Sequence, residues 1–549
     1  MYTIGVDFGT LSCRALLVDI RDGSEIATAV FEYPHGVMDE RLPSGRRLSP
    51  EWALQHPQDY LDGFAVTIPA VLKASGADPQ QVVGLGIDFT ASSPLPVKAD
   101  GTPLCFLEAY RDEPHAYVKL WKHHAGQPQA DRINEVARLR GEAWLKRYGG
   151  KYSSEWFFSK LLQILDEHPD IYDAMDIFIE AADWVIWQLT GVMTRNTCTA
   201  GYKMLVQDGA YPSPEFFEAL NPRFRNVIAE KVPGALSPLG GKAGSLTPHM
   251  AERLGLPAHI AVAVANVDAH VTAPAVKATQ PGVMVMIMGT STCHIMSGTT
   301  LQEVDGMCGV VDGGIIDGLY GYEAGQSGVG DIFGWFVDHA VPPEYHDAAQ
   351  AAGLNTHELL EQEAARQKPG EHGLIALDWW NGNRSTLVDV DLSGLLIGAT
   401  LATRAPDIYR ALIEATAFGT REIIESFEAR GVEVKELVAA GGLPEKNALL
   451  RQIYADVTGR TLKLAGSAQS PALGSAMHAA VAAGAYASIH DAAQKMGRLK
   501  SEVVTPIAAH QAIYDQLYAE YKALYDYFGR GANDVMKRLK RTRNEVRGE

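Results

Sequence analysis

The chain has 549 residues, of which 46% are hydrophobic and 21% charged, an ordinary globular composition that implies two to four domains at roughly 150 residues each. Forty-eight basic against 66 acidic residues give a formal charge of −18, which disfavours broad binding to nucleic acid or anionic membranes and leaves any anionic ligand to local groups. Five separated cysteines (Cys13, Cys105, Cys198, Cys293 and Cys308) with no CxxC pair point to neither a disulfide framework nor a zinc site, and suit a reducing cytoplasm.

The N-terminus enters a strand-like segment at once, without a signal-peptide pattern, and no apolar run reaches the roughly 18 residues that span a bilayer, so a soluble cytoplasmic protein is expected. Residues 2–8, 13–20 and 25–33 read as a β-meander, 56–75 as a helix and 82–90 as a buried strand. Residues 114–190 turn largely helical and rich in tryptophan, a composition that fills a core. The second half repeats the theme, with strands at 260–267, 281–288 and 293–296. Helices are predicted over 328–339, 346–367, 403–429, 445–459 and 472–485, and short strands over 436–440 and 461–464. The boundary between two similar units is placed at 260/261. The basic tail, 532–549, reads as a solvated helix end, and the helical stretch 508–527 leaves a homodimer open.

Common nucleotide signatures are absent: there is no GxxxxGK[ST], and no GxGxxG opens a helix after a strand. Two turns stand in their place. Asp7 ends a strand and is followed by Gly9-Thr10; Gly289-Thr290-Ser291-Thr292 follows a second buried strand. In such hairpins glycine lets backbone approach a phosphate, threonine adds a hydroxyl donor, and a strand-end carboxylate orders Mg²⁺ directly or through its waters. A third strand runs into Gly441-Gly442, followed by Asn447 and a helix, where a base or ribose can lie flat on backbone.

Two hairpin turns and a late strand–Gly-Gly–helix resemble the phosphate-1, phosphate-2 and adenosine motifs of the actin, hexokinase and heat-shock chaperone ATPases. Within that superfamily the chain resembles the FGGY carbohydrate kinases over nearly its whole length. Residues 5–12, 117–124, 153–157, 198–203, 266–270, 323–328 and 378–384 resemble its L-ribulose-phosphorylating branch. Two segments depart from the general family: Tyr110-Arg111-Asp112 only loosely matches its tryptophan-acid-arginine motif, and Lys160-Leu161-Leu162-Gln163 replaces Lys-x-x-Trp.

The resemblance implies an α/β fold: two actin-like (ribonuclease H-like) ATPase domains, 1–260 and 261–549, flank a cleft and carry helical insertions. It implies ATP-dependent phosphorylation of L-ribulose at its terminal hydroxyl, with ATP as co-substrate, Mg²⁺ as cofactor and a role in arabinose catabolism. Asp268, which spacing alone makes a helix cap, becomes the general base. Lys203, Glu323 and the Ala91 backbone would join Asp268 in holding the sugar. Gly9, Thr10, Gly289 and Thr290 would hold the phosphates; Gly441, Gly442 and Asn447 the adenosine; Asp7 the Mg²⁺. Adjacent His123 and His124 point apart on a helix and lack a third ligand, which disfavours a metal there. His270 and His294 fall near the cleft. The rivals are a related kinase acting on xylulose, D-ribulose or ribitol, and an actin-like ATP switch that phosphorylates no small molecule.

Overall fold

A computed structural model describes residues 1–547; Gly548 and Glu549, the end of the basic tail, lie outside the described residues. Strands β1 (Tyr2–Phe8), β2 (Ser12–Asp19) and β3 (Ser24–Glu32) form the expected antiparallel meander. Helix α1 (Pro57–Ser75) follows, capped by His56, whose Nδ1 accepts the Gln58 N–H at 3.2 Å. It buries Tyr60, Phe64 and Ile68 beneath the sheet and returns the chain to β4 (Val82–Phe89), parallel to β1. After α2 (Phe157–Glu167), α3 (Ala181–Thr190) and α4 (Thr197–Lys203) come β5 (Lys242–Ser245), β6 (Ala261–Ala263), β7 (Asn266–Val267) and α5 (Asp268–Ala275). The first sheet runs β5-β6-β4-β1-β2-β3, with β7 also paired to β4.

The second unit repeats this order. Strands β8 (Val283–Met288), β9 (Thr292–Gly298), β10 (Gly309–Asp312) and β11 (Tyr320–Gln326) are antiparallel neighbours. Helices α6 (Gly330–His339) and α7 (Ala405–Glu428) precede β12 (Glu436–Ala440), which is parallel to β8. Then follow α8 (Gly442–Lys446), α9 (Ala448–Thr458), β13 (Leu462–Ala465), α10 (Ser470–Ala482) and β14 (Leu499–Val504). The sheet order is β10-β11-β9-β8-β12-β13-β14. In each unit a hairpin-built antiparallel edge continues into parallel strands joined by helices, so the two Gly-Thr turns occupy equivalent places.

The two units interlock. Helix α10 crosses from the second unit onto the first sheet, where Gly86 lets its backbone come so close that a Cβ would sit 1.9 Å from the Ser475 carbonyl oxygen. Helix α5 packs beside α10 and touches β9 of the second sheet. A shared apolar layer, including Val267, Ala273, Val285, Ile295, Ala472 and Ala476, therefore forms the floor of the cleft.

Three expectations change. Residues 260–267 form two short strands, because one extra residue bulges between the Val262–Leu85 and Asn266–Asp88 pairings. A division at 260/261 falls inside the first sheet, since β6 and β7 both pair with β4. The helix expected over 346–367 is two helices, Pro343–Ala352 and Thr356–Ala364; Gly353 ends the first in a left-handed conformation and an Asn355–Glu358 capping box starts the second.

Helix α11 (Ala508–Gly529) packs inward on its own chain through Tyr514, Tyr518, Tyr521 and Tyr525, all buried. The basic helix α12 (Val535–Arg547) is tied to an acidic loop by Lys537–Asp389 and Lys540–Asp391 contacts of 2.5 and 2.7 Å. Among the described residues no helix is long and apolar enough to cross a membrane.

Candidate active site

The turn after β1 is held from inside: the Gly9 N–H donates to the Ser12 carbonyl, and the Thr10 carbonyl accepts from Gln55 at 2.7 Å. The Trp121 indole N–H donates to the Thr10 hydroxyl at 3.1 Å. Among the described residues, the Thr10 and Leu11 N–H groups have no protein acceptor. The second turn is built differently. Its Gly289 and Thr290 carbonyls accept N–H groups from Val329, Gly330 and Asp331 at the start of α6, and among the described residues the N–H groups of Thr290 and Ser291 have no protein acceptor. Both turns thus spend their carbonyls on protein and keep amide donors for an anion.

Between them lies a row of carboxylates. Asp7 and Asp88 are neighbours at the ends of β1 and β4, and Asp268 follows β7 on the far side of β4. Burial raises the Asp7 carboxyl, against the neighbouring Asp88 and the charge of Arg14, 3.9 Å away. Burial and the charge of Asp7 raise Asp88 well above the carboxylate range. Asp88 Oδ2 accepts from Ser475 of α10 at 2.6 Å, while its Oδ1 is buried with no partner. Asp268 is the first residue of α5, and Val267 occupies the cap position that spacing assigned to Asp268. Its Oδ1 accepts the Ala269 N–H at 2.7 Å. Burial first and the charge of Asp7 second push Asp268 up to about 7, with Glu323 adding to the rise and Lys203 opposing it.

Asp268 therefore feels both Asp7 at the first turn and the charges of Glu323 and Lys203. Lys203, the last residue of α4, meets Glu323 of β11 at 3.3 Å, with each side chain only 5% exposed. His270 Nε2 lies 3.2 Å from the same carboxylate, and its ring stacks on Tyr202. Burial would raise Glu323, but Lys203, His270 and Arg384 outweigh it and hold the carboxyl well below the usual range. The segment from Ala91 is fixed by two charged side chains: Lys160 donates to the Ser92 carbonyl at 2.7 Å, and Glu180 accepts from the Ser92 hydroxyl and the Ser93 N–H.

The Gly441-Gly442 segment borders a cavity of ≈ 110 Å³ that is also lined by Ser467 and Lys500 among others. Gly441, at φ 99°, is packed where a Cβ would lie 2.4 Å from the Met288 carbonyl oxygen, which brings this wall against the strand leading to the second turn. Asn447 is not on the wall: its Oδ1 accepts the Leu450 N–H at 2.7 Å, so its side chain caps α9.

His123 hydrogen-bonds Gln163 and the Ala53 N–H, and His124 bonds Glu155; His294 sits in the core against Thr420. The one cluster of three potential metal ligands among the described residues is His35, His56 and Asp59; the two imidazoles stack at 4.2 Å and His35 Nδ1 lies 2.6 Å from the Asp59 carboxylate.

Sequence reasoning missed Asp88, His270 as a partner of Glu323, and the Lys160–Glu180 clamp. Asp88 had a visible signal: Gly86-Ile87-Asp88-Phe89 repeats the pattern of Gly5-Val6-Asp7-Phe8 and pairs with it residue for residue.

Residues 2–274 match the N-terminal domain, and residues 284–483 the C-terminal domain, of the FGGY family of carbohydrate kinases. A ribulokinase of Halalkalibacterium halodurans is 58% identical over 546 residues, 98% of this chain and 97% of its own. A ribulokinase of Staphylococcus aureus strain Newman is 37% identical over 544 residues, 99% of each chain. Among solved structures, a xylulose kinase from Rhodospirillum rubrum superposes with a TM-score of 0.78 at 21% identity, covering 96% of this chain and 98% of its own. Plasmodium falciparum glycerol kinase with ADP gives 0.75 at 15% identity, covering 95% and 97%; these two likenesses speak for the fold.

Proposed function

The chain belongs to the FGGY family of carbohydrate kinases, and on that premise we propose that it is a ribulokinase, transferring the γ-phosphoryl group of ATP to the 5-hydroxyl of ribulose. The observation that carries this reading is the position of Asp268, set between the phosphate turn at Asp7 and the Lys203–Glu323 pocket. L-ribulose is the isomer we assign, with L-ribulose 5-phosphate and ADP as products.

In this reading the free amides of the two turns hold the nucleotide's phosphates, and the Gly441-Gly442 wall receives the adenosine. The sugar lies on Lys203, Glu323 and the Ala91 backbone, a mixed donor and acceptor set suited to hydroxyls that are both. Its O5 points at Asp268, which takes the hydroxyl proton as the new O–P bond forms and the bond to ADP breaks. Glu323, kept ionised by its cations, is an acceptor for sugar hydroxyls rather than a competing acid.

The donor set fits Mg²⁺: Asp7 offers carboxylate oxygens at a strand end, and this ion retains several waters rather than needing an all-protein cage. When bound it would neutralise phosphate charge, held by Asp7 directly or through water.

The test is a panel of pentuloses and pentitols assayed by coupled ADP release, with mass detection of the product. Phosphorylated ribulose as the dominant product supports the reading; preferred turnover of xylulose or ribitol, or ATP hydrolysis independent of sugar, overturns it.

A further inference from the structure

The chain leaving β4 is held by buried charge on both sides, yet one of its residues keeps its peptide groups unused. Asp88 and Phe89 pair with Asn266 and Val267 of β7, so Thr90 and Ala91 emerge from the sheet beside Asp268, the residue after Val267. The Thr90 N–H donates to the Phe8 carbonyl at 3.2 Å. Ala91 is half-buried against the apolar floor of the cleft, and among the described residues its N–H and carbonyl have no protein partner.

The next two residues are engaged. Lys160 of α2, fully buried, donates to the Ser92 carbonyl at 2.7 Å and to the Leu120 and Lys119 carbonyls at 2.9 and 3.3 Å. Three acceptors match the three donors of an ammonium. Glu180, just before α3, accepts from the Ser92 hydroxyl at 2.7 Å and from the Ser93 N–H at 2.8 Å, and the Ser93 carbonyl accepts the Ala181 N–H at 3.0 Å. Ser92 thus stands between a buried cation and a buried anion. Gln163, one helical turn beyond Lys160, accepts from Lys119 at 3.1 Å and lies 2.9 Å from His123 Nε2, so the second loop gripped by Lys160 is itself fixed. The Lys160-Leu161-Leu162-Gln163 segment therefore ties two loops to one helix. Burying an ammonium against carbonyls alone is costly, and folds carry such costs where a functional segment must be placed.

We propose that Lys160 and Glu180 are positioning residues for the sugar: from opposite sides of Ser92 they hold the Ala91 N–H and carbonyl as a fixed donor and acceptor beside Asp268. A sugar hydroxyl then meets both groups already aligned with the base. This inference rests on the proposed activity and specifies what sets the Ala91 contact of that site. Backbone fixed in advance needs no ordering on binding, so the clamp contributes to sugar affinity; neither residue bonds the two turns assigned to the nucleotide.

The test uses the full chain with Lys160→Met, Lys160→Met/Glu180→Gln and Ser92→Ala. Lys160→Met leaves Glu180 without its counter-charge, so Tm should fall, and adding Glu180→Gln should recover part of that fall. Calorimetry with ribulose should show affinity lowered about 10-fold in the single and double Lys160 variants alike, and about 3-fold in Ser92→Ala, which loses one hydrogen bond of the clamp. KM for ATP should stay within about 2-fold throughout, since the turns keep their own bonds. Affinity that returns together with Tm in the double variant overturns the inference, because the clamp then serves stability alone. Wild-type affinity in Ser92→Ala overturns it too, and that arm decides by itself if Lys160→Met does not fold. Wild-type protein that turns over xylulose or ribitol in preference to ribulose removes the proposed activity instead, a failure read from the wild type and not from the variants.

Discussion

At pH 7 the Asp268 carboxyl is close to half-protonated, because burial and the Asp7 charge push it up to about 7. A base works only when ionised, so kcat/KM should climb with pH through about 7 and level off above it. Asp268→Asn should lose about 10²–10⁴ in kcat while ATP still binds. The same shift has a stability sign. A carboxyl raised above its unfolded value near 3.9 is neutral in both states below that pH, and the folded state is penalised as pH rises towards 7. Thermal melts should therefore show Asp268→Asn equal to wild type at pH 3.5 and more stable at pH 8; a lower Tm at pH 8 would count against the buried, raised carboxyl. Lys203 and Glu323 behave oppositely, as a buried pair. Lys203→Met leaves Glu323 short of its nearest cation and should cost about 3–5 kcal/mol in denaturant unfolding, and adding Glu323→Gln should recover part of that loss. Losses that simply add would show the pair is not coupled. These roles were legible only through resemblance: a lysine at a helix end and a glutamate in a strand are unremarkable until a separation of 120 residues is folded away.

At the scale of elements, the strand and helix periods were readable because each element buries one face against its own unit. The hairpin of β1 and β2, the turn at 289–292 and the strand before Gly441 all fall where the sequence places them. Errors cluster where a local signal competes with the period: Gly353 and Asn355 cut a helix that apolar spacing alone continues, and a one-residue bulge splits the strand before Asp268. Asn447, expected from the sequence at the adenosine, caps the start of α9 through its Oδ1. The seam of α10 on the first sheet was invisible, because it joins residue 86 to residue 475 and leaves no periodic trace. Gly86→Ala forces a Cβ against backbone there and should lower stability by about 1–3 kcal/mol. Wild-type Tm in that variant would mean the seam is looser than the contact distance implies.

For the whole molecule, the interlocked helices α5 and α10 provide a common floor, while the Lys203–Glu323 contact crosses between units above it. A sugar seated on that pair would draw on both units, so binding should favour the arrangement with the cleft shut and water excluded from the transferring phosphoryl group. Small-angle scattering should give a smaller radius of gyration with ribulose and a non-hydrolysable ATP analogue than without them; an unchanged radius would speak against closure. The charge of −18 plays no part in that attraction, which is local and cross-cleft.

By itself the sequence determined the two-unit α/β plan, the two Gly-Thr turns and the chain neighbours of Asp268, because strand-turn chemistry is local and glycine, threonine and aspartate at a strand end carry it within a few residues. Only the tertiary structure decided that Asp88 stands beside Asp7, that His270 and Arg384 attend Glu323, that the first sheet extends past residue 260, and that Asn447 serves its own helix. Those relations depend on burial and on charges brought together from distant segments, and neither desolvation nor a cross-cleft field is written in the order of residues.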